Sequence, residues 1–398
     1  VILNSLRLLA DAAAVAAVIW AQWKIGSWAL ATVDGRPAWM KNLVRLLAAA
    51  MCVCLAVGFA LGFHRVARVV PFPASVRGIL GGGAYLWMFT TTGAYLIHRI
   101  RLWLLSHTKI SDFDPGRRRL VAGAGNALVA APFALAGFGT LIQRTDFRVR
   151  EIDIPIPNLP RDLQGLRILQ LTDIHMGPFL SESDFVRVID ESLNLRPHLA
   201  VITGDLISTV GDPLDACLRQ IARLRADAGI LGCMGNHENY AQVQAYTAQQ
   251  GAQLGIDFLR GRARSLRFGA ANLNVAGVDY YSISNRKAYL AGVERLVKPG
   301  EINLLLSHNP DVFPVAARQE FDFTISGHTH GGQVNIEILN QSLNAASFIT
   351  PFVYGHYRQA RPSGPAASLY VSRGIGTIGL PARIGAPPEI SLLRLVAG

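Results

Sequence analysis

SGHTHGGQV, residues 326–334, sets two histidines two positions apart among glycines, directly after the short apolar run FTI at 323–325. Taken alone, such a pair is as well explained by chance or by a hydrogen-bonded core histidine as by a ligand site. The rest of the chain decides. Four further strand-like apolar runs end in the same kind of chemistry. LRILQLT is followed by Asp173-Ile174-His175, and LAVIT by Gly204-Asp205. ILGCMG leads into Asn236-His237-Glu238, and INLLLS into His308-Asn309. In open α/β sheets ligands bind beyond the carboxyl ends of the strands, so five such ends can converge on one place.

The pattern between these runs supports that reading. From about residue 150, short apolar runs alternate with amphipathic segments, the signature of β-α-β units. In SESDFVRVIDESLNL (181–195), Phe185, Val186, Ile189 and Leu193 fall near helical spacing and Ser181 is placed as the N-cap. After residue 270 the runs LNVAGV, INLLLS, FTIS and SLYVS have shorter connections. About 250 residues suffice for a full two-layered core.

The converging groups are Asp173, His175, Asp205, Asn236, His308, His328 and His330. They are carboxylates, imidazoles and an amide, with no thiolate, a set suited to Mn, Fe or Zn. Seven side chains exceed the needs of one ion that keeps a water. Two ions sharing a bridging carboxylate would use them, and a close pair of cations is a clamp for displacement at phosphorus.

The first 145 residues are of another kind. The chain has 51% hydrophobic and 16% charged residues, against about 25% charged in a typical soluble domain. Apolar stretches lie at about 8–32, 44–63, 79–97 and 120–142, and a span needs about 20 such residues. The expectation is a membrane region over 1–145 with about four transmembrane helices, followed by a catalytic domain over 150–398. The net charge of +11 divides unevenly: residues 1–150 hold 17 Lys/Arg against 5 Asp/Glu, and residues 151–398 hold 21 against 22. Basic residues flanking apolar segments mark topology rather than nucleic-acid binding, and no nucleic-acid partner is expected. The loop between the third and fourth stretches carries Arg99, Arg101, Lys109, Arg117, Arg118 and Arg119. The positive-inside rule puts it in the cytoplasm and the catalytic domain outside the inner membrane, although the preceding loop also holds Arg65, Arg68 and Arg77. The segment DPGRRRLVAGAG also resembles a twin-arginine export signal, which gives the same orientation. The chain begins at Val1 rather than Met, so preceding residues are expected. Cys52 and Cys54 lie in an apolar run and read as small hydrophobes, and Cys217 and Cys233 form no C-x-x-C and no dense framework.

The motifs LTDIHMG, ITGDLI, MGNHENY, LLSHNP and SGHTHGGQ resemble the five ordered motifs of calcineurin-like metallophosphoesterases, over about residues 165–335. The tail VSRGIGTIGLPARIGAPPEI and the membrane segments are similar to the YkuE-like subgroup, the transmembrane proteins with a metallophosphoesterase domain. The resemblance implies a four-layer α/β-β/α sandwich of two mixed sheets. It implies one metal held by Asp173, His175, Asp205 and His330, and a second by Asp205, Asn236, His308 and His328, with Asp205 bridging. His237 would protonate the leaving oxygen or steady the transition state. Many relatives carry a second Asp three residues after the bridging one; here that place is Ser208, which puts the acid role of His237 in question.

Arg373 and Arg383, in the tail motif, are expected either to bind substrate phosphate or to hold a loop by hydrogen bonds. Tyr354, His356, Asp279 and Tyr280 are further candidates for the pocket lining. The expected function is a membrane-anchored phosphoesterase acting on phosphate ester or diphosphate bonds, with the bilayer and a membrane-associated, lipid-linked substrate as partners. Two rivals are a UDP-diacylglucosamine diphosphatase-like enzyme of lipid A synthesis, whose substrate is made on the cytoplasmic side, and a non-catalytic metal-binding scaffold or receptor. A transporter would want paired intramembrane charges, for which Asp11 and Lys24 are a thin case.

Overall fold

The computed structural model describes residues 2–62, 73–107, 114–338, 341–362 and 364–398. Arg65, Arg68 and Lys109 lie outside the described residues. So does the side chain of Asp11. Two compact units emerge: one holds residues 1–140 with 379–381, the other 141–378 with 382–398.

The first unit is helical. Each of the four apolar stretches forms a helix: α1 (Ile2–Thr32), α2 (Ala38–Gly62), α3 (Ala74–His107) and α4 (Pro115–Leu141). Among the described residues two segments, not four, are long and apolar enough to cross a membrane: Ala38–Leu55 and Pro115–Thr145. Trp39, Leu46 and Leu128 point outward and are more than half exposed. Gln22 of α1 is one of the few buried polar side chains here. It donates to Thr91 Oγ1 at 3.2 Å and accepts from Trp87 Nε1 at 3.1 Å.

The second unit is built on two six-stranded mixed sheets. Its strands are β1 (Arg148–Ile156), β2 (Arg167–Leu171), β3 (Leu199–Thr203), β4 (Ile230–Cys233), β5 (Ile256–Phe258), β6 (Arg262–Phe268), β7 (Ala271–Gly277), β8 (Ile302–Leu306), β9 (Phe323–Ser326), β10 (Asn335–Ile338), β11 (Gln341–Asn344), β12 (Gly355–Arg361), β13 (Gly364–Val371) and β14 (Glu389–Ala397). The first sheet runs β1-β14-β2-β3-β4-β5, with β2 to β5 parallel and β14 antiparallel to β2. The second runs β12-β13-β9-β8-β7-β6, with β13, β9, β8 and β7 parallel and both edge strands antiparallel. β10 and β11 form a separate hairpin.

Alternation along each strand sorts the side chains into layers. Ile168, Leu199, Val201 and Leu231 of the first sheet pack between the sheets against Leu304, Leu306, Phe323 and Ile325 of the second. Leu169, Leu171, Ala200 and Ile202 face the other way, onto helices α5 (Glu182–Asn194) and α6 (Leu214–Ile221). Ala276 and Leu305 do the same on the far side of the second sheet, where Val312 and Ala316 cover them. This is the four-layer arrangement expected from the motifs. Ser181 caps α5 as expected, accepting from the Asp184 amide at 3.1 Å. One detail differs: Val188, not Val186, joins Phe185 and Ile189 on the buried face, since the stripe follows i, i+3, i+4.

The parallel strands β2, β3, β4, β8 and β9 share a direction within their sheets. Their carboxyl ends carry the five polar motifs to one rim of the sandwich.

Candidate metal centre

The loops after β2, β3 and β9 make sharp turns. Asp173, His175, Asp205, His328 and His330 all have positive φ, between 48° and 77°, a region that non-glycine residues seldom occupy. Such conformations concentrate where function demands them. Here the left-handed turn after the strand end bends Asp173 and His175 toward the same point, and likewise His328 and His330. Backbone bonds hold the bends: Asp173 N donates to Gly204 O at 3.1 Å and His175 N to Asp205 O at 3.0 Å. Gly327 lets β9 approach β2, because a Cβ there would collide with the Asp173 carboxylate and Thr172 Oγ1.

The side chains then meet. His308 Nε2 lies 3.0 Å from Asp205 Oδ2, and His175 Nε2 lies 3.5 Å from the same oxygen. His330 Nε2 is 3.3 Å from Asp173 Oδ1. His328 Nδ1 is 3.2 Å from His308 Nε2. Donor atoms gather in overlapping sets, each within 4.8 Å: Asp173, His175 and His330; then Asp205, His308 and His328; then His175, Asp205 and His237. Asp205 belongs to two of them. Asn236, at the start of helix α7 (Asn236–Ala241), is buried nearby in sequence to these sets, and its Oδ1 has no hydrogen-bond partner.

Two further observations fit cations at this place. His175 Nε2 and His330 Nδ1 are also buried without partners, and buried polar atoms are rarely left so. The supporting bonds set the tautomers. His308 Nδ1 faces the Thr203 carbonyl at 2.7 Å, so it donates there and leaves Nε2 turned to the carboxylates. Burial lowers the affinity of His175, His328 and His330 for a proton, and neighbouring imidazoles add to the effect for each. They are therefore held neutral, the form that binds a metal. Burial also raises Asp173, with the Asp205 charge acting in the same direction. His308 runs opposite: burial would lower it, but the Asp205 and Asp173 carboxylates outweigh burial and raise it.

His237 occupies a distinct position. Its Nδ1 lies 2.6 Å from the Ser208 carbonyl and must donate to it, which leaves Nε2 as the free edge. Its ring meets His175 edge-on at 4.7 Å. At Ser208, where the resemblance expects an Asp, the main-chain carbonyl orients His237 and the hydroxyl contacts His175 Nδ1 at 3.1 Å.

Glu238 has a structural part that its sequence position alone did not assign. Its fully buried carboxylate accepts from the amides of Asp205, Leu206 and Gly235, at 2.9, 2.7 and 2.8 Å. It ties the Asp205 turn to the Asn236 turn. Only the adjoining strand-end position hinted at this, since the three amides come from two separate loops.

The flanking candidates separate. Tyr280 lies beside the rings of His328 and His308, at 5.4 and 6.1 Å. Asp279 instead pairs with Arg260 at 2.7 Å. His356 bonds Ser368 Oγ at 3.0 Å on the second sheet. Arg383 is wholly buried, and all five of its N–H donors meet the carbonyls of His330, Gly374, Gly376 and Ala386. No donor is left for a phosphate, so of the two expectations for Arg383 the substrate contact is corrected to loop holding. Arg373 stays near the centre, its guanidinium 4.3 Å from the Tyr354 ring.

Comparison with known proteins follows the same outline. Residues 166–332 match the calcineurin-like phosphoesterase family. An uncharacterised metallophosphoesterase of Campylobacter jejuni is 30% identical over 250 residues, covering 62% of this chain and 63% of that one. The bovine transmembrane protein with metallophosphoesterase domain is 27% identical over 341 residues, covering 78% and 73%. The uncharacterised metallophosphoesterase YkuE of Bacillus subtilis is 26% identical, covering 70% and 97%. The chain thus spans under two thirds of the Campylobacter relative's length. Five strand-end motifs at one rim, the matched segment that contains them and relatives of that description together establish that the chain carries a calcineurin-like metallophosphoesterase domain.

Proposed function

We propose that the chain is a membrane-anchored phosphoesterase with a two-cation centre, hydrolysing phosphate ester or diphosphate bonds of a membrane-associated substrate. The observation that carries this reading is Asp205, which belongs to two donor sets at once, beside His175 and beside His308 and His328. In this reading Asp173, His175, Asp205 and His330 hold one divalent ion, and Asp205, Asn236, His308 and His328 the other. Mn, Fe and Zn suit these donors. Bound cations would supply the charge that activates water and offsets the charge growing on the phosphoryl oxygens.

The chain's own groups do the rest. His237 presents Nε2 toward the centre because the Ser208 carbonyl holds Nδ1. From there it donates a proton to the departing oxygen, a contribution typically worth about 10²–10⁴-fold. Glu238 fixes the two loops that carry Asp205 and Asn236, so the donors need no rearrangement. Two segments long and apolar enough to span a membrane, with apolar side chains turned outward, support the anchor. The lysine and arginine excess flanking them supports an extracytoplasmic catalytic domain.

The test is hydrolysis of bis-p-nitrophenyl phosphate and p-nitrophenyl phosphate by the detergent-solubilised chain with Mn²⁺. Turnover that needs the metal and is lost in Asp205→Asn and His237→Ala is expected. Tight metal binding without turnover on these or on lipid diphosphates would overturn the enzymatic reading in favour of a scaffold.

A further inference from the structure

The two tail arginines differ in what their donors meet. Arg383 uses all five. The guanidinium of Arg373 makes no hydrogen bond among the described residues, and its Nε is buried without a partner. The nearest carboxylate oxygen, Glu389 Oε2, is 4.0 Å away. That carboxylate is already engaged by Tyr370, by Ser391 Oγ at 2.7 Å and by Arg150 at 3.5 Å. Yet the Arg373 side chain is only 15% exposed. It is braced rather than loose. Tyr354 lies flat-on at 4.3 Å from Cζ, and Gly331 leaves room for its stem, since a Cβ at 331 would come 2.8 Å from Arg373 Cγ.

Its place is next to the centre but outside the donor sets. Gly331 adjoins His330 in sequence. Gly374, next to Arg373, abuts Asp173, where a Cβ would come 2.6 Å from the Asp173 Cβ. A fixed, planar cation with open donors, beside a cluster that handles phosphoryl groups, matches the planar two-point recognition of an oxyanion.

We infer that Arg373, stacked on Tyr354, is a subsite for a second phosphoryl group, which makes a diphosphate the substrate class of this centre. This inference rests on the two-cation reading above. In the reaction, water adds its oxygen to one phosphorus and the bridging P–O bond breaks. The bridging oxygen leaves with the second phosphate, held by Arg373, and takes its proton from His237; of the two protons of water, one stays with the first phosphate or passes to buffer and the other restores His237. A monoester or simple diester has no group to place there.

The experiment is calorimetric binding to the full chain in detergent with saturating Mn²⁺, which needs no turnover. The probes are methylenediphosphonate, a non-hydrolysable diphosphate, and inorganic phosphate. Arg373→Ala is expected to weaken the diphosphonate roughly tenfold to a hundredfold, the range for a charge-assisted contact, and phosphate by less than about threefold. Arg373→Lys should fall between, since a point charge lacks the fork. Tyr354→Leu, which keeps the charge and removes the brace, should weaken the diphosphonate several-fold if Arg373→Ala does not fold. Equal losses for both probes, or none, overturn the subsite while leaving the two-cation centre standing. A wild-type protein that binds neither probe with Mn²⁺ overturns both.

Discussion

Arg383→Met tests whether the buried arginine is the keystone of the loops beneath the centre. Two of its four carbonyl partners have other donors: Gly374 O accepts from Glu389 N at 2.9 Å and His330 O from Gln333 N at 2.9 Å. Among the described residues, the Gly376 and Ala386 carbonyls accept only from Arg383. The substitution therefore orphans two buried carbonyls, each costing about 1–3 kcal/mol. Burial itself opposes the charge, pulling the Arg383 pKa down to about 10, and relief of that cost offsets part of the loss. A net destabilisation of about 3 kcal/mol is expected, and with it a midpoint lower by roughly 6–12 °C for a unit of this size. Tryptophan fluorescence would miss it, because all six tryptophans lie between residues 20 and 103. Cys217 and Cys233 are free, buried and in the two-sheet unit. Thiol labelling of these two against temperature, resolved by peptide mass spectrometry, reads the right unit. A shift of under about 2 °C would refute the reasoning. So would an unchanged midpoint with a raised KM, which would return Arg383 to substrate binding.

Three other outcomes follow from the geometry. Ser208→Ala keeps the carbonyl that orients His237 and loses only the hydroxyl contact to His175, so turnover should drop by less than about tenfold; His237→Ala should lose about 10²–10⁴-fold, more for poor leaving groups, and equal losses in the two variants would sink the carbonyl account. Gly327→Ala drives a methyl into Asp173 and Thr172; elemental analysis should find the two-ion content lost, and a variant retaining both ions would show that the loop can yield. A periplasmic-type alkaline phosphatase reporter fused after residue 150 should be active and a fluorescent cytoplasmic one dark, the reverse pattern contradicting the orientation.

Much of this molecule is legible in local sequence. The near-continuous apolar runs in LRILQLT, LAVIT and INLLLS mark strands buried on both faces, because such strands lack a polar side. The Ser181 cap and the helix after it follow from side-chain to backbone bonding over three residues. The seven donor residues are visible because each stands at a strand end, and sheet topology carries such ends to one rim. The first 145 residues were legible as helices, and among the described residues two segments are long and apolar enough to cross a membrane.

The roles of the tail arginines and of Ser208 were not legible. Arg373 and Arg383 are ten residues apart in one motif and equally suited to phosphate by type. What separates them is whether carbonyls from two loops, the one after β9 and the one between β13 and β14, close around the guanidinium, and those loops meet only in the folded domain. At Ser208 the sequence shows a missing carboxylate. Its replacement is a main-chain carbonyl, which every residue has and no sequence pattern can reveal. The sequence by itself determined which chemical groups stand at the rim, because strand periodicity is local. Tertiary structure alone decided which of those groups remain open, because hydrogen-bond satisfaction depends on partners far apart in the chain.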